Sequence, residues 1–294
     1  MTRKDSPRRS VLYVPASNAK AMGKIASLSC DAVILDLEDA VGPEEKAGAR
    51  DNLRAFFAAR PKLDCEIVVR INAPSSEWGK DDLALAAALA PDGLLLPKVD
   101  TPRDILEVGD FLDEEGAAET RLWAMVETPR AILNSGAIAE LGRDPASRLS
   151  CLVAGTNDLV KETGVLATPD RRYLQVWLMQ IVLAARAGGL DALDGVSNDF
   201  RDLEAFAREC ADGAAMGFDG KTLIHPAQID AANAAFSPAP EALAAARAVV
   251  AAFSLPENRG KGVLSIDGRM VERLHLAQAE KLISRTGRDR EMPQ

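Results

Sequence analysis

Residues 122–130 read LWAMVETPR, an apolar run that stops at a carboxylate and is followed by threonine and proline. Five consecutive bulky or apolar residues suit a strand buried on both faces. Pro129 then opens a helix, because the first helical residue has no use for its N–H. Residues 131–141 continue as an Ala- and Leu-rich stretch with polar positions at intervals, as an amphipathic helix requires. Strand, polar turn and helix follow in immediate succession, and Glu127 is fixed at the strand's end.

The same unit recurs along the chain. Aliphatic or β-branched runs at residues 11–14, 32–35, 67–71, 94–96, 149–153, 192–195 and 222–224 alternate with amphipathic stretches such as 44–58, 81–88, 103–113, 173–187 and 203–216. Eight strand–helix cycles predict an α/β fold, a parallel sheet closed into a TIM (β/α)8 barrel, since closure removes the exposed edges of an open sheet. The seventh and eighth runs are the least apolar, and a doubly wound open sheet is the alternative. Further on, a helix over 241–253, a breaker segment over 256–262, an extended piece over 263–266 and a helix over 271–283 predict a C-terminal helical lid or tail. The expected organisation is a barrel domain over residues 1–253 and a lid over 254–294, with the charged residues 286–294 fraying at its end.

The 294 residues include 35 Lys and Arg against 44 Asp and Glu, a net charge of −9. That field argues against nucleic acid or anionic lipid as a partner. No apolar run is long enough to cross a bilayer, and residues 1–9 lack the apolar core of a secretory signal. Cys30, Cys65, Cys151 and Cys210 are dispersed, without metal-binding or redox spacing, and read as reduced thiols. A cytoplasmic location is the expectation. With only His225 and His275 available, a bound metal would be held mainly by oxygen, which favours Mg²⁺ or Mn²⁺.

In a (β/α)8 barrel the residues just after each strand converge on the catalytic face. Strand two runs into Asp36, Glu38 and Asp39, strand three into Arg70 and Asn72, strand four into Lys98 and strand five into Glu127. Strand six runs into Gly155, Thr156, Asn157 and Asp158, strand seven into Asp194, and strand eight into His225. So many carboxylates in one cavity are reconciled either by internal ion pairs or by a divalent cation. In the second case Glu127 and Asp158 ligate the metal, and the backbone N–H groups of the glycine turn face a substrate carboxylate. Asp158 also reads as a helix cap or turn residue. An arginine inside an apolar strand needs an anion, so Arg70 either clamps a substrate carboxylate or pairs with Asp36 or Glu38.

Five motifs, RSVLYVP (9–15), DLEDAV (36–41), VRIN (69–72), VETP (126–129) and GKTLIHPAQI (220–229), make the chain resemble the citrate lyase β-subunit-like family. That family includes malyl-CoA and citramalyl-CoA lyases and belongs with the HpcH/HpaI aldolases. The resemblance runs in order from about Arg9 to Ile283. It implies a Mg²⁺-dependent carbon–carbon lyase that cleaves or forms a 3-hydroxy-3-carboxy acyl-CoA thioester, giving a 2-oxo acid and acetyl-CoA. Glu127 and Asp158 match the metal ligands, and Arg70 matches the arginine on the 2-oxo-acid carboxylate. Arg9, Lys20, Ile224, His225 and Pro226 fall where family members hold coenzyme A. The family's lid, often over a neighbouring subunit's site, carries a proton-transfer aspartate. The matching stretch here is RMVERL (269–274), so Glu272 stands in its place and the family's proline is missing. Asp267 is a nearby alternative carboxylate. A homo-oligomer, trimer or hexamer, is implied by the same resemblance. Alternatives are a citrate lyase β subunit working on an acyl-carrier thioester, an aldolase or hydrolase acting on a free acid or another acyl carrier, and a ligand-binding homologue without turnover.

Overall fold

The computed structural model describes residues 7–59, 61–266 and 268–284. Eight parallel strands close in sequence order: β1 (Ser10–Pro15), β2 (Ala32–Asp36), β3 (Glu66–Arg70), β4 (Gly93–Leu96), β5 (Arg121–Val126), β6 (Leu149–Ala154), β7 (Asp191–Asp194) and β8 (Gly220–Leu223). The ring closes where β8 pairs with β1, with Val11 beside Thr222 and Leu12 beside Leu223. Helices α1 (Ala19–Met22), α2 (Lys46–Ala59), α3 (Gly79–Leu89), α4 (Pro102–Glu114), α5 (Pro129–Glu140), α6 (Thr156–Thr163), α7 (Gln175–Gly188), α8 (Leu203–Met216) and α9 (Ile229–Phe236) follow the strands in turn. All eight strands stand where the sequence predicts them, and the open-sheet alternative falls away.

Strand periodicity explains why both barrel faces are apolar. Val11, Ile34, Val68, Leu95, Trp123, Met125, Cys151, Val153 and Leu193 point inward and pack as one cluster. Their neighbours Leu12, Leu35, Val69, Leu94, Leu96, Val126 and Leu152 point outward into the helix layer. The strand ends that carry function are therefore held between two packed layers.

Charges inside this framework are paired. At the end where the strands begin, the Arg8 guanidinium donates to both Glu66 oxygens at 2.8 and 2.9 Å and to Asp191 at 2.9 Å, and lies 4.6 Å over the Trp123 ring. Gly220 is required at the start of β8 because a Cβ there would run into the Arg8 carbonyl oxygen. The adjacent Lys221, which makes this strand look weak in sequence, is fully buried. Its ammonium sits 2.8 Å from Asp194 and 2.7 Å from Glu209, and Arg171 holds both Asp194 oxygens at 2.8 Å.

The described residues divide into two compact units, Arg8–Phe236 and a second that begins at Ser237. The division comes earlier than the expected boundary after residue 253. Helix α9 already completes the eighth repeat, and α10 (Pro240–Ser254) packs instead on α11 (Arg273–Ser284). The extended piece predicted at 263–266 is β9 (Val263–Ile266), but residues 269–272 are a strand, not the start of a helix. As β10 (Arg269–Glu272) they pair antiparallel with β9. Asp267 and residues 286–294 lie outside the described residues.

Burial alone would raise the Asp194 carboxyl, but Lys221 and Arg171 outweigh it and hold the group below the usual carboxylate range. Its stabilising contribution is therefore complete above its unfolded value near pH 4 and is lost as pH falls through the depressed folded value. Urea titration of Asp194→Asn at pH 7 should show a loss of about 3–5 kcal/mol, the cost of leaving a buried charge without its partner. The difference from the parent should shrink below pH 4.

Candidate active site

The ends of β2, β3, β5 and β6 and the loops that follow them surround a cavity of about 260 Å³ lined by Tyr13, Asp36, Asp39, Arg70, Met125, Gly155, Thr156, Asn157, Asp158 and Asn198, among others. On one wall Asp36, fully buried, accepts from Arg70 Nε at 2.7 Å and Nη2 at 2.6 Å. The same carboxylate accepts the backbone N–H groups of Glu38 at 2.9 Å and Ala40 at 3.1 Å. One side chain thus shapes the β2 loop and aims the guanidinium. Arg70 Nη1 also lies 2.7 Å from Glu38 Oε2 and 3.4 Å from Asp39. The Glu38 contact is off the N–H directions, so Oε2 has an ionic neighbour but no hydrogen bond. Burial pushes the Glu38 carboxyl up to about 8 against the pull of Arg70. Both sequence readings of Arg70 are compatible here, since pairing with Asp36 leaves the guanidinium on the cavity wall.

Glu127 and Asp158 are brought together by Lys98. The Lys98 ammonium lies 3.5 Å from Glu127 Oε1 and 2.8 Å from Asp158 Oδ1, so one small cation reaches both carboxylates. Lys98 adopts a left-handed backbone conformation, φ 53°, rare for a residue with a Cβ. In that conformation its backbone N–H donates to Glu127 Oε1 at 2.7 Å while its side chain reaches the same acid. Glu127 is fully buried, and its Oε2 has no hydrogen-bond partner among the described residues. Burial, opposed by Lys98 and reinforced by Asp158, pushes the Glu127 carboxyl up to about 7. Burial opposes the charge of Lys98, but its hydrogen bond to Asp158 and the charge of Glu127 raise its pKa.

A buried carboxylate with one oxygen left unpartnered among the described residues, and a second carboxylate held by the same ammonium, fit the expected Mg²⁺ or Mn²⁺. Among the described residues no group of three His, Cys, Asp or Glu side chains could hold a metal ion. Mg²⁺ commonly takes one or two carboxylates and completes its shell with water and substrate oxygens. Gly155 makes the approach possible, because a Cβ there would run into the Glu127 side chain. It is also the residue before α6, whose first turn contains Asp158. The turn read from the sequence is therefore a helix start, which favours an anion nearby. Asn157 and Asn198 exchange amide hydrogen bonds of 2.9 and 3.2 Å beside it.

A second cavity of about 470 Å³ is lined by Tyr13, Asn18, Lys20, Lys24, Ile224 and Pro226, with Leu12, Val14 and Leu28. Three of the residues expected at coenzyme A line it. His225 stacks on Phe200, ring centroids 4.6 Å apart, while its Nδ1 accepts the Ala227 N–H at 3.1 Å. Arg9 has to be corrected. It precedes β1, at the barrel end opposite the strand termini that form the cavity, and its guanidinium bonds Asp31 at 2.8 and 3.1 Å. A residue before the first strand cannot reach the face that the strand ends create. Glu272 closes β10 in the tail unit, where its backbone N–H donates to His275 Nδ1 at 2.9 Å.

Tyr13, Met125 and the bridging role of Lys98 were not read from the sequence. Tyr13 and Met125 sit one step back along strands β1 and β5, where the period-two alternation directs them inward with Val11 and Trp123. Attention to residues after the strands misses them. Lys98 was legible as a strand-end cation, but not its left-handed backbone.

A family model described as HpcH/HpaI aldolase/citrate lyase matches residues 9–226. A (3S)-malyl-CoA thioesterase of Cereibacter sphaeroides is 43% identical over 285 residues, covering 97% of this chain and 96% of that protein. The mitochondrial citramalyl-CoA lyase of Rattus norvegicus is 35% identical over 289 residues, covering 95% and 86%. The crystal structure of CitE from Mycobacterium tuberculosis, in complex with magnesium, acetoacetate and coenzyme A, superposes with a TM-score of 0.75 at 33% identity, covering 97% of this chain and 99% of that one. With the motif order, the closed barrel and the matched span in agreement, the chain belongs to the HpcH/HpaI aldolase/citrate lyase family.

Proposed function

We propose that the protein is a Mg²⁺-dependent carbon–carbon lyase that cleaves or forms a 3-hydroxy-3-carboxy acyl-CoA thioester of the malyl-CoA or citramalyl-CoA class. The observation that carries this is that a single ammonium, Lys98, reaches both Glu127 and Asp158, and that Asp158 lines the same cavity as Arg70. The larger neighbouring cavity, with Lys20 and Lys24 on its wall, suits a phosphate-bearing carrier such as coenzyme A. The CitE structure with magnesium, acetoacetate and coenzyme A supports the same combination of ligands.

Glu127 and Asp158 would hold the metal, which when bound would supply Lewis acidity at the reacting end of the substrate. Arg70 takes the carboxylate through its remaining N–H groups, and Asp36 keeps the guanidinium at a fixed angle. The N-terminal turn of α6 adds backbone donors on the same side. Cleavage moves the electron pair of the C2–C3 bond toward the thioester and leaves a 2-oxo acid, glyoxylate or pyruvate, on Arg70. The thioester enolate then takes up a proton at C2. Glu272 is assigned that step by resemblance, as acid in cleavage and base in condensation.

A second reading is favoured by one finding: the 43% identical relatives are (3S)-malyl-CoA thioesterases. Hydrolysis would use the same clamp on the acid end while water attacks the thioester carbonyl and expels the thiol. Product analysis separates the two. With malyl-CoA or citramalyl-CoA and Mg²⁺, cleavage gives acetyl-CoA and an oxo acid without a free thiol, whereas hydrolysis gives one thiol and one hydroxy acid per turnover. Conversion of neither thioester by folded protein overturns both readings.

Arg70→Lys keeps the charge but not the fork geometry, and kcat/KM should fall about a hundredfold or more, with folding unchanged by circular dichroism. Glu272→Gln should slow turnover while leaving oxo-acid binding intact. Parent-like turnover would remove Glu272 from the mechanism.

A further inference from the structure

We propose that the Tyr13 hydroxyl donates a hydrogen bond to the thioester carbonyl oxygen of the substrate and is a catalytic residue of this site. This assignment rests on the acyl-thioester reading above, and it holds for cleavage and for hydrolysis alike.

Tyr13 and Ile224 line both the smaller cavity beside Arg70 and the larger one beside Lys20 and Lys24. A thioester with its acid end on Arg70 and its carrier in the larger cavity crosses from one to the other at these two side chains. Ile224 offers only hydrocarbon there. Tyr13 offers a hydroxyl that is shielded from solvent and has no hydrogen-bond partner among the described residues. A buried donor left unpaired is costly, and its persistence at a junction between cavities points to a partner that arrives with the ligand.

The ring is held in place for this task. The Arg70 guanidinium lies 4.8 Å over its centroid, and the ring packs on the inward-facing cluster of the barrel. Burial raises the phenol above its ordinary value, with Arg70 opposing, so the hydroxyl keeps its proton and remains a donor. In cleavage the C3 hydroxyl gives its proton to water, its O–H electron pair closes the C=O of the oxo acid, and the C2–C3 electron pair moves onto C2, shared with the thioester carbonyl oxygen. C2 later takes up a proton, giving the acetyl thioester. A hydrogen bond to that oxygen is strongest when the oxygen carries this charge, so it acts on the transition state more than on bound substrate. In hydrolysis the same oxygen carries the charge of the tetrahedral adduct. Tyr13 transfers no proton in either case.

If the ring served only to pack against Arg70, phenylalanine would replace it without effect. Tyr13→Phe is therefore the test, assayed beside the parent with malyl-CoA, citramalyl-CoA and Mg²⁺. The expected result is a fall in kcat of about a hundredfold, the usual loss for one oxyanion donor. Inhibition by free glyoxylate or pyruvate, which engages Arg70 but has no thioester, should be unchanged, as should the thermal midpoint. An active parent matched within threefold by Tyr13→Phe overturns the assignment alone. A parent that converts no thioester overturns the acyl-thioester reading, and the assignment with it.

Discussion

The active end of this barrel depends on a carboxylate held out of water. Glu127 is fully buried and rises from the end of β5, where Pro129 and the packed α5 fix its direction. An ionised carboxylate in such a place needs positive charge close by. Lys98 provides it from the loop after the neighbouring strand β4, at the cost of a left-handed backbone, and reaches Asp158 with the same ammonium. The two acids converge because β5 and β6 are neighbours and because Gly155 has no side chain to hold them apart.

Other buried charges in the molecule have a different character. Arg8, Glu66 and Asp191 join strands at the opposite end, and Lys221, Asp194, Glu209 and Arg171 tie the last two strands to the helix layer. Those clusters pair their charges with one another, although Glu209 Oε1, beside Lys221, and Trp123 Nε1, in the ring under Arg8, lack a hydrogen bond among the described residues. Around the cavity the balance is incomplete: Tyr13 Oη, Glu38 Oε2 and Glu127 Oε2 are three of the six buried side-chain atoms without a hydrogen-bond partner among the described residues. Unpaired polar atoms near a cavity mark where a ligand is to complete the network.

The fold was legible because a strand buried on both faces writes itself as an apolar run, and each run ends in a residue that cannot be buried unpaired. The register of β7 and β8 was harder, since Lys221 looks exposed until Asp194 and Glu209 are known to face it. The site was legible where chemistry lies just past a strand, as with Glu127, Arg70 and Asp158. It was not legible where it depends on backbone twist, as at Lys98, or on the inward phase of a strand, as at Tyr13. Arg9 was misplaced because a motif next to β1 says nothing about which barrel end it occupies. The tail boundary was misplaced because helical periodicity in α10 does not reveal that its partner is α11.

Everything proposed for this site requires that Glu127 and Asp158 share one divalent ion. Calorimetric titration of Mg²⁺ or Mn²⁺ into the protein tests it most directly. The expected result is one ion per chain, lost in both Glu127→Gln and Asp158→Asn. Undiminished binding in either variant, with the fold intact, would contradict it.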